Sequence, residues 1–444
     1  MGHLWLAQQC AIPYFAVFRQ LAQLQQSQSK LFLMKNFVRA ALVSVSLFFI
    51  SSCASIAPPA TTPNSVLMVS IDGFRPDYLG KGMTPNLDRI AAQGVRAEWM
   101  NPSFPTLTFP NHYTLVTGLR PDRHGIVHNT MSDKELGGFS LGNREAVGNA
   151  KWWLGEPIWV AANNAGMPTA SMFWPGSEAP IMGQHPTRWN VWDEKVTYET
   201  RVDTVVGWMK EPIATRPRFA TLYFDKVDKE AHGSGPFSDA AHDEVRKVDK
   251  SIGDLFAKLE ANGSLSKTDV IIVSDHGMAP VPPTHGVIVD DMVPREWAKA
   301  VTLGQVVTFN PLPGFETQAR EKLLGKHAHY ECWDKSSVPS KYRYGSSPRV
   351  PAIVCLMETG WDAVTRDYNA RRITAGVTRG SHGFDPASPD MRAIFIATGP
   401  GFRNGTVIPA FDNVDVYPLL RQLLGLPAEN RDGSPDSLKG ALSP

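Results

Sequence analysis

Three apolar runs that each lead into an acidic residue constrain the fold of this chain more than any other feature. The runs cover residues 66–71, 219–224 and 270–274, and they lead into Asp72, Asp225 and Asp275. Near-continuous apolar runs of this length, rich in β-branched residues, are typical of strands buried on both faces of a sheet. The carboxyl ends of parallel strands share one edge, where ligands bind, so we expect the three acids to converge there.

Helical patterns separate the apolar runs. Residues 84–94 predict one helix, and apolar residues at helical spacing within 245–263 predict another. Two further strands are predicted at residues 169–173 and 392–397. This alternation predicts an α/β fold with a mainly parallel central sheet and helices on both faces.

The pattern of apolar residues changes after the proline-rich stretch at 280–283, which predicts a second structural unit. Residues 66–284 and 376–436 carry the core pattern, whereas 285–375 hold short alternating runs with many prolines and tyrosines. We interpret the middle stretch as a smaller α+β insertion seated on the core. It contains Cys332 and Cys355, an even pair that predicts a disulfide between two strands; two buried thiols are the alternative.

The N-terminal region predicts export from the cytoplasm. Residues 1–33 are interpreted as a mis-assigned extension, and 34–53 combine a basic start with an apolar run too short to span a bilayer. The end of this run resembles a bacterial lipobox, which predicts a lipid anchor at Cys53, a tether over 54–65 and a periplasmic or outer-membrane lipoprotein. An ordinary signal peptide cleaved shortly after Cys53 is the alternative. The near-balanced charge, formally +1, predicts no nucleic-acid-binding surface.

Aspartate and histidine side chains at the predicted strand exits form a candidate metal constellation. Its members are Asp72, Asp228, His232, Asp275, His276 and His382. Asp228 and His232 are one helical turn apart and can face the same way. Oxygen and nitrogen ligands without a thiolate suit zinc, and manganese is the weaker alternative. Histidines that are not part of such an aspartate–histidine motif are interpreted as structural or surface residues: His112, His124, His185, His242 and His285.

Thr108 is predicted to lie at the start of a helix. It takes the expected N-cap position, with Pro110 in the first turn and helical character through residues 111–116. The unpaired N–H groups of such a helix start can hold phosphate oxygens while the hydroxyl attacks phosphorus. The hydroxyl needs activation, which one cation can supply while a second, about 4 Å away, polarises the phosphoryl group. A purely capping threonine is the alternative.

Motifs spread through the chain carry a family resemblance. They are Ser70-Ile71-Asp72-Gly73-Phe74-Arg75, Asn101-Pro102-Ser103-Phe104-Pro105, Asn111-His112-Tyr113, Thr117-Gly118-Leu119-Arg120-Pro121, His124-Gly125-Ile126, Asp228-Lys229-Glu230-Ala231-His232-Gly233, Ser274-Asp275-His276-Gly277-Met278 and Gly380-Ser381-His382-Gly383-Phe384. In order and spacing these motifs resemble the nucleotide pyrophosphatase/phosphodiesterase family of the alkaline phosphatase superfamily. The resemblance implies an alkaline phosphatase-like core and a hydrolase.

The resemblance also implies roles for individual residues. One zinc site would contain Asp228, His232 and His382, and a second would contain Asp72, Asp275 and His276, with Thr108 as both nucleophile and ligand. Asn129 would donate to a phosphoryl oxygen, helped by the backbone N–H of Phe109. The ring of Phe109 would line a base-stacking pocket, opposite either Trp192 or Tyr223.

The function expected from these features is cleavage of nucleotide diesters and phosphoanhydrides to nucleoside 5′-monophosphates through a phospho-threonine intermediate. A sulfatase is disfavoured because a Cys/Ser-x-Pro-x-Arg context is missing, and a phosphomonoesterase would need more positive charge at the site. Two alternatives stay open: a related hydrolase of phospholipid-like diesters or phosphonates, and a non-catalytic zinc-binding envelope protein. A small-molecule substrate is expected, and the sequence does not indicate an oligomeric state.

Overall fold

A computed structural model describes residues 64–444 of the chain. The predicted extension, the signal segment with Cys53, and the tether up to residue 63 lie outside the described residues. Ser65, the last residue assigned to the tether, is instead the buried first residue of a strand. Among residues 64–444, no helix has the length and apolar character needed to cross a bilayer.

The strands vary from two to seven residues in length. They are β1 (Ser65–Ile71), β2 (Val95–Ala97), β3 (Met100–Asn101), β4 (Thr130–Asp133), β5 (Gly137–Ser140), β6 (Thr169–Met172), β7 (Arg188–Trp189), β8 (Phe219–Phe224), β9 (Thr268–Val273), β10 (Ala279–Val281), β11 (Gly286–Ile288), β12 (Ala298–Thr302), β13 (Val306–Pro311), β14 (Gly325–Lys326), β15 (Tyr330–Asp334), β16 (Ile353–Met357), β17 (Asp362–Val364), β18 (Arg379–Ser381), β19 (Phe395–Thr398), β20 (Thr406–Ile408) and β21 (Phe411–Asp412).

The α-helices connect these strands. They are α1 (Pro85–Gln93), α2 (Thr108–Thr117), α3 (Pro121–His124), α4 (Arg144–Gly148), α5 (Ile158–Asn164), α6 (Tyr198–Met209), α7 (Lys226–Ser234), α8 (Asp239–Ala261), α9 (Val289–Met292), α10 (Glu316–Leu323), α11 (Arg366–Ala375) and α12 (Val416–Leu424).

The central sheet has eight strands in the order β20-β2-β19-β9-β1-β8-β6-β7. The three predicted acid-tipped strands, β9, β1 and β8, are direct neighbours and run parallel. Strand β19 is antiparallel to both of its neighbours, and the other pairs are parallel. The carboxyl ends of β9, β1 and β8 therefore lie side by side at one edge.

Both faces of the sheet are covered by helices, which explains why the strand sequences are almost continuously apolar. Along β1, Val66 and Met68 belong to one buried cluster, together with residues of α12. The alternate residues Leu67 and Val69 belong to a second cluster, which includes residues of α1, α6 and α8. The predicted α/β class, with a mainly parallel sheet between helical layers, is confirmed.

The predicted insertion, residues 285–375, contains a separate five-stranded antiparallel sheet in the order β12-β13-β16-β15-β14. Helices α9, α10 and α11 lie in the same stretch, which gives it an α+β character. Cys332 and Cys355 are opposite each other on β15 and β16 and form the expected disulfide. The chain returns to the core through β18, which pairs with β10.

Several predicted boundaries differ from the structure by a few residues. The strand expected at 392–397 begins at Phe395, after a short 3-10 turn at Pro389–Met391. The helix expected to end at Gly263 ends at Ala261, and Gly263 follows with a positive φ of 74°. Ala393 and Ile394 continue the apolar pattern ahead of the strand, and Asn262, as the C-cap, ends the helix just before Gly263.

Candidate active site

The candidate site lies at the carboxyl edge of the three central parallel strands. Asp72 follows β1, and Asp275 with His276 follows β9. Strand β8 leads through Asp225 into α7, which carries Asp228 in its first turn and His232 in its last turn. The topology thus gathers side chains from positions up to two hundred residues apart, as the sequence pattern predicted.

Two glycines permit the close approaches that the site needs. Gly73 has a positive φ of 65°, and a Cβ there would lie 3.0 Å from the Asp228 side chain. A Cβ at Gly380 would lie 2.4 Å from the Ala231 carbonyl oxygen, so only glycine lets β18 lie against α7. This contact allows the Gly380 carbonyl to accept a hydrogen bond from His232 Nδ1 at 2.9 Å.

Thr108 is the first residue of α2 and not its N-cap, which corrects the prediction by one position. Leu107 takes the cap position because it is extended (φ −115°, ψ 154°) and its carbonyl accepts from Asn111 N–H. The Asn111 side chain donates to the carbonyls of Pro105 and Leu107 and so fixes the helix entry. The Thr108 hydroxyl therefore caps nothing, and its Oγ1 lies 3.3 Å from His276 Nε2.

Three histidines direct Nε2 toward the site. The Nδ1 atoms of His232, His276 and His382 each face a backbone carbonyl, at 2.9, 2.8 and 2.9 Å. A carbonyl can only accept, so each Nδ1 donates its proton to the backbone and each Nε2 faces the other way, into the site. The Nε2 atoms of His232 and His382 are only 3.0 Å apart. Two ring nitrogens at this distance need a shared proton or a metal cation between them, and an Nδ1 fixed by the backbone is typical of metal-binding histidines.

The carboxylates of the site have oxygens without a hydrogen-bond donor. Within the described part of the chain, Asp72 Oδ1, Asp228 Oδ1 and Asp275 Oδ2 are buried and accept no hydrogen bond. Asp228 lies 3.4 Å from both His232 Nε2 and His382 Nε2. Asp275 Oδ2 lies 2.9 Å from His276 Nε2. Buried carboxylates are stable only when paired or bound to metal, so the donor set fits divalent cations.

The electrostatics of these groups support the same conclusion. Burial, followed by the charges of Asp275 and Asp228, raises the pKa of Asp72 well above its usual range. Burial also raises the pKa of Asp228. Burial, with the charges of His276 and His232, lowers the pKa of His382. The protein alone therefore holds several groups away from their ordinary protonation equilibria, a frequent property of functional sites.

His112, which the sequence analysis interpreted as a structural or surface residue, lies in the site beside Asp72 and Asp275. It is fully buried, its Nε2 lies 2.8 Å from Ser70 Oγ, and its Nδ1 lies 2.9 Å from the Thr108 carbonyl oxygen. The same Nδ1 lies 3.3 Å from Asp275 Oδ2. His112 thus ties the start of α2 to β1 and to a metal-ligand candidate. The signal was its position four residues after Thr108, which places both on one helix face.

Tyr223 is a second residue whose place the sequence left open. Its hydroxyl donates to Asp72 Oδ2. Tyr223 is opposite Ser70 in the β1–β8 register, which brings its side chain near the end of β1. Its edge also contacts Trp192, with ring centroids 5.5 Å apart. Tyr223 therefore connects the candidate metal ligands to the adjoining aromatic wall.

Asn129 lies beside the start of α2. Its Oδ1 accepts a hydrogen bond from the Phe109 backbone N–H at 3.0 Å. This contact fixes the side-chain amide so that Nδ2, its donor, is left for another acceptor. The Phe109 N–H, to which the family resemblance gave a supporting role at a phosphoryl oxygen, donates to Asn129 in this structure.

A cavity of about 260 Å³ opens next to Thr108. It is bounded by Asp72 and Asp228 on the ligand side and by aromatic rings on the other; these rings belong to Phe109, Phe173, Trp174, Trp192 and Tyr223. Both candidates for the ring opposite Phe109, Trp192 and Tyr223, line this cavity, and the Tyr223 hydroxyl is engaged with Asp72. Other charged side chains in the lining are Arg144, Glu178, Glu194, Asp225 and Lys229.

Two groups of side chains are close enough to hold a metal ion. One contains Asp228, His276 and His382, and the other contains Asp72, His112 and Asp275; within each group the ligand atoms lie within 4.8 Å of one another. His232 joins the first group through its contacts with Asp228 and His382. All the predicted ligands thus occupy one site, and His112 is an unforeseen neighbour.

The fold and the site define a hydrolase of the alkaline phosphatase-like class. Residues 66–385 match the family model described as type I phosphodiesterase / nucleotide pyrophosphatase. The chain belongs to this family, which confirms the family and the class of hydrolase predicted from the sequence.

Similar proteins span several groups of organisms. Ectonucleotide pyrophosphatase/phosphodiesterase family member 3 of Bos taurus is 32% identical over 393 residues, covering 85% of this chain and 44% of the relative. Venom phosphodiesterase of Naja atra is 32% identical over 403 residues, covering 88% and 48%. An uncharacterised pyrophosphatase/phosphodiesterase of Schizosaccharomyces pombe is 33% identical over 399 residues, covering 85% and 80%. The chain spans about half the length of the first two of these relatives.

Solved structures share the fold. Human ectonucleotide pyrophosphatase/phosphodiesterase 5 matches with a TM-score of 0.80 and 31% identity, covering 86% of this chain and all of that chain. An inactive threonine-to-alanine variant of the murine protein, in complex with AMP, matches with a TM-score of 0.81, 31% identity and the same coverage.

Proposed function

We propose that this protein is an extracytoplasmic phosphodiesterase and nucleotide pyrophosphatase that releases nucleoside 5′-monophosphates through a phospho-threonine intermediate. The observation that carries this proposal is the position of the Thr108 hydroxyl, between His276 and a cavity walled by aromatic rings. An inactive threonine-to-alanine variant of a structural neighbour, in complex with AMP, supports both the nucleophile and the substrate class.

The donor set is suited to two zinc ions. Asp228, His232 and His382 would hold one, and Asp72, Asp275 and His276, with Thr108, would hold the other. Nitrogen and carboxylate ligands without thiolate fit zinc, with manganese as the weaker alternative. When bound, the ions supply Lewis-acid stabilisation and lower the pKa of the oxygen nucleophiles.

The residues of the chain would divide the reaction between them. The Thr108 hydroxyl gives up its proton and Oγ1 attacks phosphorus; a threonine–phosphorus ester forms as the bond to the leaving oxygen breaks, and the leaving oxygen takes up a proton. Asn129 Nδ2 donates to a phosphoryl oxygen whose negative charge grows in the transition state. A water molecule then hydrolyses the ester, which returns the proton to Thr108 and releases the nucleoside monophosphate.

The aromatic cavity would hold the part of the substrate that stays on phosphorus. Phe109 follows the nucleophile directly, and its ring lies 5.8 Å from that of Trp153, which supports it from behind. Trp192 forms the facing wall, braced by the guanidinium of Arg201 at 5.1 Å. Flat aromatic walls suit a nucleobase, because stacking accepts any base.

The charges near Thr108 favour a diester over a monoester. The cations that line the cavity are paired: Arg144 with Glu178, and Lys229 with Glu194 at 2.8 Å. Neither side chain is an unpaired partner for a phosphate dianion, which a phosphomonoesterase has to neutralise. A diester carries one negative charge and brings an esterified group that the aromatic cavity can bury.

The Cys332–Cys355 disulfide supports a location outside the reducing cytoplasm. We propose that the protein is exported and held at a membrane through Cys53. Labelled fatty acid should be incorporated into the parent chain and not into Cys53→Ser. Equal labelling of both would exclude this anchor.

A substrate panel tests the proposed function. The expected order of kcat/KM places ATP and a bis-aryl phosphate above glycerophosphocholine and a mono-aryl phosphate. Thr108→Ala should lose at least about 10³-fold in kcat while retaining its metal, because the covalent step is removed; Thr215→Ala, an exposed threonine, is the matched control. Preference for glycerophosphocholine would favour a phospholipid-like substrate, and absence of turnover in the parent would favour a binding protein.

A further inference from the structure

A second cavity, of about 300 Å³, borders the candidate metal ligand His232 on the side of the α+β stretch. It is lined by Leu303, Gln305, Asp362 and Tyr368 from that stretch, and by Arg379 and Ser381 from β18. Arg379 and Ser381 are alternate residues of one strand, so their side chains share a face. His232 joins this cavity directly to the site that contains Thr108.

The cavity contains a cation that the protein does not neutralise. Asp362 is occupied, since it accepts from Gln305 Nε2 at 2.7 Å and lies 3.4 Å from Arg372. Within residues 64–444, Arg379 forms no ion pair; its guanidinium lies 5.9 Å from the Tyr368 ring, a loose contact. A half-buried guanidinium with free donors in a concave site is suited to a phosphate group, which it can bind through two parallel hydrogen bonds.

The geometry of displacement at phosphorus indicates which part of the substrate this cavity would receive. In an in-line reaction the attacking and leaving oxygens lie on opposite sides of phosphorus. Thr108 Oγ1 lies against His276, and the retained group occupies the aromatic cavity beside Phe109. The leaving group is thus directed away from Thr108, past the pair of His232 and His382, toward the second cavity.

We propose that this cavity is a leaving-group subsite and that Arg379 binds a phosphate of the leaving group. Tyr368 and the exposed Leu303 provide an apolar surface for any group attached to that phosphate. The inference rests on the proposed function and deepens it, because it makes phosphate-bearing leaving groups, as in nucleoside triphosphates and dinucleotides, the preferred substrates.

Two substrates that share the retained part but differ in the leaving group test the proposal. ATP loses pyrophosphate, whereas p-nitrophenyl adenosine 5′-phosphate loses an aryl alcohol without phosphate. Arg379→Gln should lower kcat/KM for ATP by about 10- to 100-fold relative to that for the aryl ester, mainly through KM. Arg379→Lys should recover part of the loss because it keeps the charge. Lys299→Gln removes one positive charge from an exposed position on β12 and should leave the ratio of the two substrates unchanged.

The outcomes separate this proposal from the function on which it rests. An equal fall for both substrates in Arg379→Gln would assign the residue a structural role and overturn the proposal. An unchanged ratio would also overturn it. If the parent protein cleaves the aryl ester but not ATP, the proposed leaving-group subsite is refuted and the proposed phosphodiesterase activity is retained. If the parent protein cleaves neither substrate, both the subsite and the proposed function are refuted.

Discussion

The contact between Tyr223 and Asp72 gives a prediction whose size follows from the structure. Asp72 is 2% exposed, its Oδ1 accepts no hydrogen bond from residues 64–444, and its Oδ2 accepts from the Tyr223 hydroxyl. Tyr223→Phe removes this donor and keeps the ring that packs against His112 and Trp192. The change therefore alters the support of one ligand carboxylate with little change in packing.

The expected magnitude comes from two independent considerations. A hydrogen bond to a charged group contributes about 1.5–3 kcal/mol, which corresponds to about 10- to 150-fold in an equilibrium constant. Removal of a side chain that supports a metal ligand commonly weakens metal affinity or activity by about 10- to 100-fold. We therefore expect Tyr223→Phe to bind metal about 10- to 100-fold more weakly and to lose a similar factor in kcat/KM at limiting metal.

The assay is a competition titration with a chelator, followed by kinetics over a range of zinc concentrations. Tyr344→Phe is the matched control, because its buried hydroxyl also donates one hydrogen bond, to the Val127 carbonyl, away from the ligand cluster. Excess zinc should restore most of the kcat of Tyr223→Phe. Metal affinity equal to that of the parent, or an equal loss in Tyr344→Phe, would refute the reasoning.

Three further predictions address other parts of the account. Asn129→Ala should lower kcat by about 10²- to 10³-fold with a small change in KM, because one transition-state donor is lost; steady-state kinetics on the aryl ester measures this, and a change confined to KM would contradict it. Trp192→Ala should raise KM for nucleotide esters by about 5- to 150-fold through lost stacking, whereas the exposed Val191→Ala should not. Burial lowers the pKa of His124 from 6.5 to about 3, so the unfolded state binds a proton more tightly than the folded state. As the pH falls below 6.5, protonation of this residue in the unfolded state should therefore lower the free energy of unfolding by about 1.4 kcal/mol per pH unit. Denaturation of His124→Gln at pH 5 to 7 should show a shallower dependence, and an equal slope would contradict the assignment.

Much of the fold could be predicted because the central strands are buried on both faces. The runs that became β1, β8 and β9 are apolar at nearly every position, and each is followed by an acid. The shared edge and the gathering of Asp72, Asp228 and Asp275 follow from parallel topology alone. This is why the convergence of these three aspartates could be predicted without knowledge of the loops.

Other features depend on contacts that no local pattern carries. The roles of His112 and Tyr223 arise from packing between α2, β1 and β8, across more than forty residues of sequence. The cavity at Arg379 exists because β18 pairs with β10, about a hundred residues earlier. The one-residue error at Thr108 reflects a cap position taken by Leu107, a residue with no capping side chain.

Metal content per chain is the most direct test of the central claim, that distant aspartates and histidines hold two cations around Thr108. Elemental analysis of the purified parent protein should give two zinc ions per chain. His232→Ala should give a lower ratio, close to one, while His242→Ala, a histidine outside the ligand cluster, should keep the parent ratio. A parent protein without bound metal, or a His232→Ala variant with the parent ratio, would contradict the account.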